Sequence, residues 1–219
     1  MADGEAWDTA AAHIYPGGSF GNGAAMRVAP VGLFYWDRPS ALRQAVETSS
    51  IITHCHALGV EGAFLQARAV AMAVAQRPGE PLDASAFVLD LEGLATEGVY
   101  RSRLGALEKL LRHAGDRELV VNHLGHGIEA FNSVPTAIFA FLANHGDFAS
   151  TVLYAISLGG DTDTIASMAG AVCGASLGVE ALPPEWLEKL ENRDYIGGLA
   201  DRLWRVSSGQ GDRREGELG

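Results

Sequence analysis

The sequence predicts an all-α bundle. Three observations carry that prediction. No segment sustains the apolar–polar alternation of a strand, several segments place apolar residues at helical spacing, and helix start and stop residues punctuate the gaps between them. Residues 39–52 read as a helix entered through Asp37-Arg38-Pro39, since proline is pre-organised for a first turn. Residues 60–76 are alanine-rich, and Arg77-Pro78-Gly79 stops them. Helices at 82–97 and 101–113 follow, and in the second Leu104, Leu107, Leu110 and Leu111 share one face. A shorter helix covers 118–123. The helix at 135–145 is expected to take Ser133 as its cap and Pro135 in its first turn. The helix at 148–158 runs into Gly159-Gly160, which permits a sharp turn. Residues 165–178 carry Ile165, Met168, Ala169, Val172, Cys173 and Ser176 on one helical face. Helices at 184–191 and 195–206 close the series, and no internal repeat is present.

Composition agrees with one folded domain. At 219 residues, 47% hydrophobic and 20% charged, the chain can bury a real core. The expected division is a helical domain at 1–206 and a disordered tail at 207–219, where glycine and charge replace large apolar residues. A net charge of -11 argues against non-specific nucleic-acid or anionic-membrane binding. It leaves room for an anionic ligand held locally. No basic-then-apolar leader follows Met1, and uncharged helical runs such as 164–179 fall short of the roughly 20 residues of a membrane span. Cys55 and Cys173 form no C-x-x-C pair, so a reduced, cytoplasmic setting is expected, with Cys173 in the core. A stripe of small residues, Ala166, Gly170, Gly174 and Gly178, points to a central helix packed closely on its neighbours.

Two motifs carry chemistry. Gly159-Gly160-Asp161-Thr162-Asp163-Thr164 gathers two carboxylates and two hydroxyls where a helix begins. Oxygen ligands at one point suit a hard divalent cation, Mg²⁺ or Mn²⁺. Residues two apart on a regular helix diverge, so Asp161 and Asp163 converge only if Asp161 precedes the helix. The structural alternative is that Asp161 caps the helix and Asp163 complements its dipole. The second motif is Gly17-Gly18-Ser19-Phe20-Gly21-Asn22-Gly23, a loop whose backbone N–H groups can approach phosphates. Alone it could equally be an ordinary turn.

Together, the segments 19–30 (Ser-Phe-Gly-Asn-Gly-Ala-Ala-Met-Arg-Val-Ala-Pro) and 157–166 (Ser-Leu-Gly-Gly-Asp-Thr-Asp-Thr-Ile-Ala) are specific. The chain resembles the ADP-ribosylglycohydrolase family, which also contains dinitrogenase reductase-activating glycohydrolase, and most closely its serine-ADP-ribose and poly(ADP-ribose)-cleaving branch. Thr53-His54 with Gly59 and Gly62-Ala63 agrees, as do Leu124-Gly125-His126-Gly127-Ile128 and Ser133-Val134-Pro135-Thr136-Ala137-Ile138. The similarity runs from about Gly17 to about Trp186.

The resemblance implies a compact orthogonal helical bundle that hydrolyses ADP-ribosyl bonds with one or two Mg²⁺ ions held by Asp161, Asp163 and Thr164. It implies that Ser19, Phe20, Gly21, Asn22 and Gly23 hold the pyrophosphate, with Phe20 on adenine. It implies that His54 bonds phosphate or ribose, and that Gly127 and Ile128 pack on the ligand. His126 stands where the family leads one to expect asparagine. Family members also carry an N-terminal region with a G-D-x-x-G helix start and a T-D-D-T cluster, which supplies the other half of the metal site and the acid–base carboxylate. Neither motif occurs in this sequence, and only 16 residues precede Gly17. The expectation is therefore a C-terminal portion of a family member, from a truncated reading frame, a wrong start or a real loss. Its activity would be impaired unless a separate N-terminal segment complements it. The competing function is a non-catalytic ADP-ribose binder or a structural remnant.

Two rival motifs fail on physical grounds. Gly17-Gly18-Ser19-Phe20-Gly21 fits G-x-S-x-G, but a nucleophile elbow needs a strand before it and a helix directly after, and Tyr15-Pro16 and Asn22-Gly23 flank it instead. His54-Cys55-His56 is too tightly spaced for zinc, because three consecutive side chains fan apart. His123 and His126 lie three apart, but Gly125 and Gly127 favour a turn over a shared helical face.

Overall fold

The computed structural model describes residues 10–76 and 81–209. The stop at Arg77-Pro78-Gly79 and the tail beyond Gly209 lie outside these residues. The described residues form thirteen α-helices and no strand, so the all-α expectation holds. In chain order these are α1 (Ala10–Ile14), α2 (Gly23–Met26), α3 (Ala29–Phe34), α4 (Pro39–Ile51), α5 (Ala57–Val74), α6 (Ala84–Leu94), α7 (Gly98–Leu111), α8 (Arg117–Leu124), α9 (Ala130–Asn144), α10 (Phe148–Ser157), α11 (Thr162–Leu177), α12 (Pro184–Lys189) and α13 (Arg193–Ser207). Two compact units divide the chain, Met1–Ala181 and Leu182–Gly219.

In the first unit α5 is the central helix. It packs against α2, α3, α4, α9 and α11, and α11 packs in turn on α9 and α10. α5 is long and apolar enough to cross a membrane, a property the expected start at residue 60 concealed, but two thirds of its window is buried inside the protein. Its apolarity is that of a core helix. Leu65, Val70, Ile138, Phe139, Phe141, Ile165, Val172 and Cys173 are all buried in one cluster. Cys173 is a core thiol as expected, and burial pushes its pKa up. The predicted face of α7 is also realised, with Leu104, Leu107 and Leu110 buried. Polar ties brace the packing. The Gln66 side-chain amide donates to the Met168 carbonyl at 3.0 Å, linking α5 to α11. The Glu61 carboxylate accepts from the Thr96 and Glu97 N–H groups at 2.7 and 3.0 Å, satisfying donors at the start of α7.

Three expectations need correction. Helix α9 begins at Ala130, five residues before Pro135, so Ser133 is not its cap and Pro135 lies inside it. Proline supplies no N–H for the carbonyl of Phe131 one turn back. Arg103 supplies the missing donor through Nη1, and its guanidinium lies 5.1 Å from the Phe131 ring. Helix α5 starts at Ala57 because His56 caps it, accepting from the Leu58 N–H at 3.1 Å. The glycine stripe of α11 faces α10 at Gly170 and Gly174. A Cβ there would meet Val152 and Phe148 at 3.4 Å and beyond, which is ordinary contact, so the packing does not demand glycine. The short helices α1, α2 and α3 were not foreseen, because four to six residues carry too little periodicity to register.

The second unit holds α12 and α13, joined through Asn192 at φ 56°. Neither helix buries a residue.

Candidate functional site

Helix α9 and the segment before it organise the site. Thr136 Oγ1 donates to the Gly125 carbonyl at 2.6 Å, anchoring the 125–129 segment on α9. That segment pairs with the glycine loop. The Asn22 N–H donates to the Ile128 carbonyl at 2.8 Å, the Ala130 N–H donates to the Phe20 carbonyl at 3.0 Å, and Gly21 and Glu129 form an antiparallel bridge. The loop has entered through two left-handed residues, Gly17 at φ 85° and Gly18 at φ 82°.

The loop also reaches the carboxylate motif. Asn22 is buried and occupies the cap position of α2, yet its side chain makes no cap bond. Instead its amide donates to Asp161 Oδ2 at 2.5 Å and to Ser133 Oγ at 3.1 Å. Ser133 Oγ donates to the Glu129 carbonyl at 3.1 Å. Residues 139 positions apart thus meet at one amide.

Asp161 sits before α11, as convergence with Asp163 requires, and its side chain makes no cap bond. Asp161 is half-buried, Asp163 is exposed in the first turn and Thr164 is buried. The turn that delivers Asp161 is built from Gly159 at φ 76° and Gly160 at φ 71°, conformations that favour glycine. The Asp161 N–H donates to the His126 carbonyl at 2.9 Å, so the 125–129 segment holds the turn as well as the loop. Among the described residues, no group of three or more His, Cys, Asp or Glu side chains could enclose a metal ion.

His54 stands against the loop from the other side. A Cβ on Gly23 would lie 2.6 Å from its ring, and one on Gly21 would lie 3.6 Å from its Nε2. Burial, and then the positive charge of Arg27, lower the pKa of His54. Its Nδ1 is 2.8 Å from Thr53 Oγ1, which accepts from Arg27 at 2.6 Å. Phe20 is 40% exposed and packs edge-on against His56 at 5.5 Å and tilted against Phe131 at 6.1 Å. Ile128 is exposed. The structure therefore gathers Asn22, Gly21, Gly23, His54, Ile128 and Asp161 around one loop. A cleft of about 500 Å³ between α4, α5 and α6 is lined by Arg43, Phe64, Arg68 and Asp90 among others, and none of the expected site residues lines it.

The sequence profile of the ADP-ribosylglycohydrolase family matches residues 2–213. The chain belongs to the ADP-ribosylglycohydrolase family. It is 39% identical to human ADP-ribosylhydrolase ARH3 over 92% of this chain and 62% of that protein. It is 40% identical to the mouse ADP-ribosylhydrolase ARH3 over 92% of this chain and 61% of that protein. A solved structure described as an ADP-ribosylglycohydrolase-related protein complex superposes with a TM-score of 0.67 at 25% identity, over 92% of this chain and 69% of that one. The chain thus spans a little over three fifths of the length of these mammalian relatives.

Two site features lay outside the reach of sequence reasoning. Ser133 and Glu129 enter through α9 and the bridge to Gly21; in the sequence Ser133 has only a cap role and a place in the family resemblance, and Glu129 has no role. His126 had no role beyond its position, and the hydrogen bonds of its backbone and ring carry one.

Proposed function

We propose that this chain binds ADP-ribose across the Ser19–Gly23 loop and belongs to a Mg²⁺-dependent hydrolase of ADP-ribosyl bonds. The observation that carries this reading is the Asn22 amide, which joins the glycine loop to Asp161. It sets the glycine loop, read here as the pyrophosphate cradle, beside a carboxylate. The Gly21 N–H is turned in to Ser19 Oγ and the Asn22 N–H to Ile128, so a pyrophosphate would be met by other N–H groups of the loop. Phe20 offers a partly exposed ring for adenine, and His54 stands beside Gly21 and Gly23 for a phosphate or ribose oxygen.

Asp161, Asp163 and Thr164 supply oxygen donors, which fit Mg²⁺ or Mn²⁺ as part of a site. Two carboxylates leave it incomplete, in line with the absence, among the described residues, of any group of three or more His, Cys, Asp or Glu side chains that could hold a metal ion. When bound, the cation would orient the distal ribose hydroxyls and stabilise charge at the scissile bond. The chain's own residues bind and orient. Asn22 fixes Asp161, and the loop fixes the pyrophosphate. Hydrolysis at the anomeric carbon further needs a group that moves a proton to or from the reacting oxygen. The same incomplete acidic set favours a second reading for the 219-residue chain alone, an ADP-ribose binder with little turnover until a complementing segment completes the site.

The test is calorimetry with ADP-ribose, and release of ADP-ribose from an ADP-ribosyl-serine peptide with Mg²⁺ and with chelator. Binding with slow turnover is expected. No ADP-ribose binding would sink the proposal, and robust chelator-sensitive turnover by this chain alone would sink the impairment.

A further inference from the structure

We infer that His126 is a positioning residue that locks the Gly159–Gly160 turn and thereby sets the place of Asp161. This rests on the reading of Asp161 as a ligand-site carboxylate. His126 Nδ1 lies 2.9 Å from the carbonyl oxygen of Leu158. A carbonyl only accepts, so Nδ1 carries the proton. Leu158 is the C-cap residue of α10, and its carbonyl is one of those a helix end leaves without an intrahelical donor. The imidazole therefore caps α10.

The backbone of the same residue holds the next helix. The His126 carbonyl accepts from the Asp161 N–H at 2.9 Å, at the cap position of α11. Between these two bonds lie only Gly159 and Gly160. Both are left-handed, and the carbonyl and then the ring of His126 fill the space that a side chain at Gly160 would need, the ring Cγ lying 2.6 Å from where that Cβ would stand. Two successive left-handed glycines have wide conformational freedom, so such a turn holds one shape only if its surroundings impose it. His126 imposes it from both ends. Its own segment is anchored on α9 by Thr136, and the Asn22 amide then meets an Asp161 carboxylate already in place. The chain of contacts runs from α9 through His126 to the turn, and from the turn to the carboxylate. His126 needs to touch no ligand for this.

The experiment uses the full chain. Nitrogen-15 spectra of the histidine rings should show His126 protonated at Nδ1. Amide exchange at Asp161 should be about tenfold faster in His126→Ala than in wild type, the scale of one lost hydrogen bond and its packing, and within about twofold of wild type in His126→Asn, whose amide also donates. With melting temperatures matched, ADP-ribose affinity should fall about tenfold in His126→Ala and recover in His126→Asn. A His126 ring protonated at Nε2 alone would overturn the inference, even if His126→Ala failed to fold. So would wild-type exchange at Asp161 in a folded His126→Ala, or equal loss of affinity in both variants. Wild-type protein that binds no ADP-ribose would instead overturn the functional reading and leave the exchange result to decide the role of His126.

Discussion

The loop side of the site and the carboxylate side are built to different standards. The loop from Gly17 to Gly23 is braced at several points, with Gly17 and Phe20 left exposed. It is paired to Ile128 and Ala130 through the backbone, backed by His54, and closed at its far end by the Asn22 amide. The carboxylate side is open. Asp161 is tied on one oxygen, Asp163 is exposed at the first turn of α11, and no third acidic or imidazole group joins them among the described residues. Hydrogen bonds already made in the folded protein lower the ordering cost of binding, so the loop side is preorganised for a ligand. A cation site needs convergent charge, and two carboxylates give little of it. On the proposed function, recognition of ADP-ribose and its hydrolysis should therefore separate in this chain.

The sharpest way to break that contrast is Gly21→Val. The side chain would stand among Ser19, His54 and the Ile128 carbonyl, beside the histidine that the proposed function gives to the ligand. ADP-ribose affinity should fall roughly a hundredfold or more, nearly 3 kcal/mol, by calorimetry. Unchanged affinity would show that the loop is not the binding surface. Next in size is Gly160→Ala. A left-handed alanine costs about 1–2 kcal/mol and its methyl also meets His126, so a loss of about 2 kcal/mol or more is expected in urea unfolding. A milder effect would mean that the turn can take another shape.

Asn22→Ala tests the join between the two sides. It leaves Asp161 and Ser133 without the amide and should cost about 1–2 kcal/mol of stability, with a matching fall in ADP-ribose affinity. Loss of stability alone would make Asn22 a structural strut. On the open side, Asp163→Ala should weaken the proposed Mg²⁺ binding about tenfold, and equal binding by both proteins would remove Asp163 as a ligand.

The smallest effect concerns His54. Its pKa lies below the ordinary value of 6.5, chiefly through burial. The unfolded chain therefore takes up a proton first as pH falls. Stability from this group is complete above about 6.5 and is lost as pH drops toward the folded value. His54 is only half-buried, so the slope should be shallow. His54→Gln should remove it in unfolding measured between neutral and mildly acidic pH, and an unchanged slope would assign it to another group.

Unlike the short α1, α2 and α3, the longer helices, most of their approximate ends and the core position of Cys173 were legible in the sequence. So was the placement of Asp161 ahead of α11, because a glycine pair and a following apolar face act over a few residues. Periodicity and capping are local, and a single chain displays them directly. The start of α9 was misread for the same reason. Pro135 is a local signal for a helix start, and only Arg103, 32 positions earlier in sequence, supplies the donor that lets the helix run through it. The meeting of Asn22 with Asp161, the part of Ser133 and the clamp of His126 were decided by the tertiary structure alone. Each depends on how α5, α9 and α11 stack, and the direction of a hydrogen bond across that stack is set by burial of many side chains at once. The motif residues state what chemistry is available. Packing decides which of them can reach one another.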